Sequence, residues 1–159
     1  HHHRPTPSPQ GRFSEPLGGE LVIRHAQARI GLNEGNSPVG SIVILDVEIV
    51  GRGRNVVNSQ HDVTAHAEVV AIREACEELK KSVLLGGVLY ITMEPCPMCC
   101  WAILFSGIEV LVLGARLADL QRHYGEYSVE TLMKLTGESV KLVTGVLSAE
   151  CEDTWRQKK

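Results

Sequence analysis

Apolar and polar positions along the chain follow two periods, and the switches between them mark the elements. Over residues 20–31, Leu21, Val22, His25, Ala26 and Ile30 recur at helical spacing, which predicts a helix. Gly35-Asn36-Ser37-Pro38 ends it as a turn. Residues 39–45 and 47–52 read as two strands of a hairpin around Asp46. This connection is unusually tight, with no Asn-Gly or Asp-Gly at its tip. A polar loop over 51–62 follows. Thr64 is positioned to cap a helix running to about residue 81, with Val69, Ile72, Ala75, Cys76 and Leu79 on its apolar face.

The second half repeats strand and helix in alternation. Gly86-Gly87 breaks the chain before a short β-branched strand over 88–92. A helix over 96–106 stops at Gly107, and a buried strand over 109–113 follows. Residues 127–135 predict a helix, 140–144 a strand and 149–156 a final helix. There is no internal repeat. A central βαβαβ order predicts a layered α/β fold, with parallel strands in the sheet and helices on both faces.

Composition narrows the class. The chain has 159 residues, which suggests one domain, and a hydrophobic fraction of 43% is enough for a buried core. Residues 1–19 are rich in Pro, Gly, Ser and Arg without an apolar period. They read as a tail carrying a purification-tag remnant at His1, His2 and His3, with the folded domain over 20–159. No apolar run approaches the roughly 18–20 residues that span a bilayer, so no membrane partner is expected. The net charge of −3 disfavours a nucleic-acid partner, because phosphate binding usually needs a surplus of Lys and Arg. Of five Cys, three fall within 96–100. That is a poor disulfide framework and a good metal-ligand arrangement, and it suggests a reducing cytoplasm.

Two motifs carry the chemistry. Thr64-Ala65-His66-Ala67-Glu68 opens the first long predicted helix, and Glu94-Pro95-Cys96-Pro97-Met98-Cys99 leads from a strand into a helix. Cys96 and Cys99 are three apart and share a helical face, where a first turn favours their thiolates. A lone C-x-x-C also suits a redox pair or half of a structural zinc site. A redox motif leaves His66 and Glu68 unexplained, and no second Cys/His pair is spaced to complete a structural site.

H-x-E followed by P-C-x-x-C is the signature of zinc deaminases. The chain resembles the cytidine deaminase superfamily, in the branch of bacterial guanine deaminases, fungal-type cytosine deaminases and tRNA adenosine deaminases. The resemblance runs from about Leu21 to the last helix and is most specific at Ser37-Pro38-Val39-Gly40, Asn55, His61 through Glu68 and Met93 through Cys99. It implies a three-layer α/β/α fold around a mixed sheet of about five strands. It also implies one zinc per chain held by His66, Cys96 and Cys99, with Glu68 as the catalytic proton carrier. Asn55 and Ala67 would contact the base. Glu126, in the segment where related enzymes cover their substrate, reads either as an acceptor of hydrogen bonds from the base or as a solvated surface acid, and the charged end of the chain, 150–159, reads either as a solvated helix or as one whose Trp155 caps the pocket. Cys100 reads as a packed thiol. Trp101 and Phe105 read as core or subunit contact on a helix that in this branch commonly helps form a homodimer.

Three functions follow: a deaminase of a small free base, a tRNA adenosine deaminase, or a zinc-stabilised binding module without activity. The third leaves Glu68 unexplained. Against the second, the tRNA enzymes resemble one another in small residues after the second Cys and in a Lys-Thr-Gly-Ala loop after the Gly-Ala-Arg strand end. Here Cys100-Trp101 and Leu117-Ala118-Asp119-Leu120 stand instead. The expectation is therefore a guanine-like base first and a cytosine-like base second, with tRNA as the alternative.

Overall fold

In a computed structural model of the chain, residues 16–31 and 34–158 are described. The elements are α1 (Pro16–Gln27), β1 (Gly40–Leu45), β2 (Glu48–Arg54), α2 (Val57–Gln60), α3 (Ala67–Leu79), β3 (Val88–Met93), α4 (Pro97–Phe105), β4 (Val110–Ala115), α5 (Val129–Thr136), β5 (Lys141–Val143) and α6 (Ser148–Arg156). A 3-10 turn, Ala118–Leu120, follows β4. The tail expectation falls mostly on residues 1–15, outside the described residues. The first helix begins at Pro16, four positions before its apolar period, because a proline is tolerated in a first turn.

The sheet has the order β2-β1-β3-β4-β5. β1 pairs antiparallel with both β2 and β3, whereas β3, β4 and β5 run parallel. Alternating strand residues divide the core. Leu89, Ile91, Leu111 and Leu113 join a cluster with Ala67, Ala71 and Ala75 of α3 and Cys100 and Ile103 of α4. Val88, Tyr90, Val110 and Val112 join one with Ile23 and Ala26 of α1 and Cys151 of α6. Period-2 alternation thus makes three layers, as expected of the α/β/α fold.

The tight hairpin is real. Leu45 pairs with Glu48, so only Asp46 and Val47 turn the chain. Both have positive φ, 51° and 60°, the geometry that matches the strand twist in a two-residue loop. Val47 adopts it without glycine and stays exposed.

Three helix starts within 64–131 also differ from expectation. Thr64 does not cap α3; its N–H and hydroxyl both donate to Asp62 Oδ1, at 2.9 and 2.7 Å. His66 stands at the N-cap instead, in extended backbone. Cys96 likewise caps α4 from outside the helix, with Pro97 in the first turn. Helix α5 starts two residues late because Ser128 and Thr131 form a reciprocal capping box.

Candidate active site

The parallel strands β3 and β4 end at the same edge of the sheet, where α3 and α4 begin. Ligand sites in open α/β sheets lie at such carboxyl ends. The approach of α3 is set by β2. A Cβ on Gly53 would fall on the Ala67 carbonyl oxygen, and one on Gly51 on that of Ala71. The two glycines let the Ala67-Ala71-Ala75 face of α3 lie against the strand, which fixes where His66 and Glu68 emerge.

His66, Cys96 and Cys99 bring one nitrogen and two sulfur ligand atoms within 4.8 Å of one another. His66 Nδ1 lies 3.6 Å from Cys96 Sγ. Both N-cap side chains are spared from capping their own helices. Left to themselves the three share protons. The Cys99 thiol donates to Cys96, which is held down to about 4 by that bond and by His66, against the opposing effect of burial. Cys99 is pushed up by the same bond and by burial, and His66 up by its bond to Cys96. A divalent cation resolves this competition by taking a neutral imidazole and two thiolates. A nitrogen-and-sulfur set suits zinc, and three protein ligands leave a position for a reactant.

Glu68 lies outside that trio. It is 4% exposed, and burial pushes its carboxyl up to about 7. A carboxyl that exchanges protons near neutrality is suited to acid–base work.

A cavity of about 270 Å³ opens over His66, Glu68 and Cys96. Asn55 and Trp155 line it as well. Asn55 Oδ1 accepts from the Val57 N–H at 3.1 Å, so its amide nitrogen is the end left for a ligand. Arg122 Cζ lies 4.8 Å and Lys158 Nζ 4.7 Å from the centroid of the Trp155 ring, in cation–π contact, and both side chains line the cavity.

Not every expected contact is there. Glu126 is exposed and lies outside the residues lining this cavity; its backbone oxygen accepts from Thr131 Oγ1 at 3.4 Å. Its neighbours on either side take the inward positions. Tyr124 lines the cavity, and the Tyr127 hydroxyl donates to the Pro95 carbonyl. The Ala67 side chain is buried in the core and is not among the residues lining the cavity. As the first residue of α3, Ala67 offers a backbone N–H that the helix itself leaves unpaired. Cys100 is a packed thiol, pushed up to about 11 by burial. Trp101 and Phe105 are not core; they stack at 5.6 Å on the outer face of α4, 41% and 76% exposed.

Sequence reasoning missed Arg122 and Lys158, which stand alone among polar neighbours and carry no periodic signal. It passed over Glu94 too, although an acid at the end of a buried strand was a visible signal.

The family model for the cytidine and deoxycytidylate deaminase zinc-binding region matches residues 20–115. A tRNA-specific adenosine deaminase of Buchnera aphidicola is 38% identical over 117 residues, covering 74% of this chain and 76% of the relative. A chain solved in a study of A-to-I editing by tRNA:A34 deaminases at the wobble position of transfer RNA superposes with a TM-score of 0.69. It is 32% identical and covers 91% of this chain and 99% of that one. Guanine deaminase from Nitrosomonas europaea gives a TM-score of 0.73 at 20% identity, with 99% of this chain and 95% of that one covered, a likeness of fold alone. The chain belongs to the cytidine and deoxycytidylate deaminase family, and it is a zinc-dependent hydrolytic deaminase.

Proposed function

We propose that the chain deaminates an adenosine within tRNA, yielding inosine and ammonia. Two kinds of support reverse the ranking drawn from the sequence. The relatives that the chain resembles at 37–40% identity are tRNA-specific adenosine deaminases. The observation that carries the reading in the site itself is the charge at its rim. Arg122 and Lys158 stand at the mouth of the cavity, and neither is ion-paired among the described residues. The net charge of −3 sums over the whole surface and does not register two cations at one opening. The guanine-first ranking leaned on Glu126, which is not at the cavity.

In this reading His66, Cys96 and Cys99 would hold the zinc, which when bound would supply the Lewis acidity that makes a water nucleophilic near neutral pH. Asn55 and the Ala67 N–H orient the base, and Trp155 and Tyr124 close over it. Glu68 would take a proton from the attacking water and deliver it to the ring nitrogen beside the reacting carbon, then take the remaining proton of the added hydroxyl and give it to the departing amine. Water and the aminated ring give a carbonyl and ammonia, and Glu68 ends as it began. The stacked Trp101 and Phe105 on the outer face of α4 form, in the same reading, a homodimer contact.

Zinc-loaded protein is incubated with a tRNA carrying an anticodon-loop adenosine, and in parallel with guanine and cytosine. Inosine in the tRNA is expected, at a rate that falls steeply with added salt. Ammonia release from a free base, with the tRNA untouched, refutes the reading and returns the small-base alternative.

A further inference from the structure

The segment 118–128 contributes Arg122 and Tyr124 to the lining of the cavity that His66 and Cys96 also line. Its internal bonds are few and local: Leu120 and Gln121 N–H close a 3-10 turn, and the Tyr127 N–H reaches the Tyr124 carbonyl at 3.1 Å. Its middle is held by the Tyr127 hydroxyl on the Pro95 carbonyl and by Arg122 over the Trp155 ring, and both of its ends are held by one carboxylate. Glu94 Oε1 accepts from the Leu117 N–H at 3.0 Å, immediately before the segment. Glu94 Oε2 accepts from the Val129 N–H at 3.1 Å, immediately after it. Arg116 fills the remaining positions, with Nε 3.0 Å from Oε1 and Nη2 3.2 Å from Oε2. The same guanidinium reaches on to Glu130, at the start of α5.

The Glu94 side chain is 3% exposed, and it sits two residues before Cys96. A carboxylate has about four lone-pair directions, and here two backbone N–H groups and a bidentate guanidinium take them. Glu94 thus joins three things by fixed distances: the turn carrying Cys96, the end of β4, and both ends of the wall segment.

We propose that Glu94 is a positioning residue, which sets the distance between the zinc centre and the Arg122–Tyr124 wall and thereby sets substrate affinity. Glu94 lines the cavity too, but its two oxygens are occupied by these four bonds and are not free for the reacting atoms. This inference rests on the deaminase assignment and not on which base is bound. Glu94→Gln is the discriminating change. Its single oxygen serves only one of the two backbone N–H groups, and its NH₂ group meets the other donor with a donor. One end of the segment is released while volume is kept.

The experiment uses zinc-loaded protein. In E94Q, amide hydrogen exchange is expected to rise about tenfold or more across 117–129, with α3, α4 and β3 unchanged. Zinc content stays at the wild-type level. On the anticodon-loop tRNA, KM rises about tenfold while kcat stays within about threefold. Arg116→Gln leaves the carboxylate and both backbone bonds in place. It is expected to give a smaller rise in exchange at the same residues, and it keeps the inference testable if E94Q fails to fold. Loss of zinc, a uniform rise in exchange, or a kcat loss at unchanged KM would overturn the proposal in favour of a merely structural Glu94. If the wild type turns over no RNA, the tRNA reading fails, and the exchange pattern still decides the role of Glu94.

Discussion

At the scale of single residues, the site works by giving neighbouring groups unlike surroundings. Glu68 is buried where its carboxyl titrates near 7, whereas Cys96, half-buried beside a thiol and an imidazole, is held near 4. One is fitted to move protons and the other to bind a cation. Glu68→Gln is therefore expected to keep its zinc, measured by metal analysis, and to lose about 10³-fold in deamination rate. Wild-type turnover in that variant would assign the proton transfer elsewhere. Cys96→Ala is expected to lose most of its zinc and, with it, the metal's share of folding stability. Full zinc occupancy in C96A would refute the ligand assignment. The grouping of His66, Cys96 and Cys99 was legible in the sequence because its spacing is chemical: a metal demands several donor types at once, and chance seldom supplies them together. Glu126 was misplaced because an irregular segment has no period, so nothing in the sequence says which of Tyr124, Glu126 and Tyr127 points inward. The order of neighbours in space, with Tyr127 bonded to Pro95, decides it.

At the scale of elements, the kinds and order of strands and helices were legible, while their ends depended on side-chain bonds that periodicity does not contain. Thr64 looked like a cap and is instead held by Asp62. The displacement matters, because it hands the N-cap of α3 to His66, whose imidazole then lies at the helix end with Nδ1 3.6 Å from Cys96 Sγ. The glycines of β2 were unreadable for a related reason. In a strand, Gly51 and Gly53 suggest weakness or a bulge, and only the position of α3 shows that they are close approaches. Gly53→Ala puts a methyl group against the Ala67 oxygen and the Ala71 nitrogen, backbone atoms that cannot turn away. Forced repacking of this kind costs about 1–3 kcal/mol. A fall in Tm of roughly 5 °C is expected, with faster zinc loss to a chelator, since His66 and Glu68 move with the helix. Gly18→Ala in α1, where nothing lies within 4 Å of the added atom, serves as the control and is expected to leave Tm unchanged or slightly raised. Equal Tm values for the two variants would mean that α3 does not depend on this approach.

At the scale of the whole molecule, the surface divides into a charged opening and an apolar outer face. The expectation of self-association rests on α4, an almost wholly apolar helix in which Trp101 and Phe105 have Ile103 and Leu104 between them. Ile103 and Leu104 are consumed by the chain's own core, at 0% and 6% exposure, so they contribute nothing outward. What remains is a stripe on α4 at helical spacing: Met98, Trp101 and Phe105, exposed at 39%, 41% and 76%. Two of its rings are already stacked against each other. Val83 and Leu85, also exposed, extend it past the end of the helix, where both lie against Gly107. Aromatic side chains bury a large area on contact and lose little conformational freedom in doing so. A continuous stripe of them is costly to leave in water and well suited to meeting its own copy about a twofold axis. The outer face of α4 points away from the cavity, while the Cys99 and Cys100 side of the same short helix is buried. Pairing through α4 would therefore stiffen the element that carries a zinc ligand without closing the opening. Sedimentation equilibrium at micromolar concentration is expected to give twice the 17.4 kDa chain mass. Trp101→Ser with Phe105→Glu is expected to reduce it to the single-chain mass while zinc content is retained, because neither side chain reaches the ligand trio. A wild-type protein that sediments as one chain would refute the contact, and a double variant that still pairs would place the interface on another face.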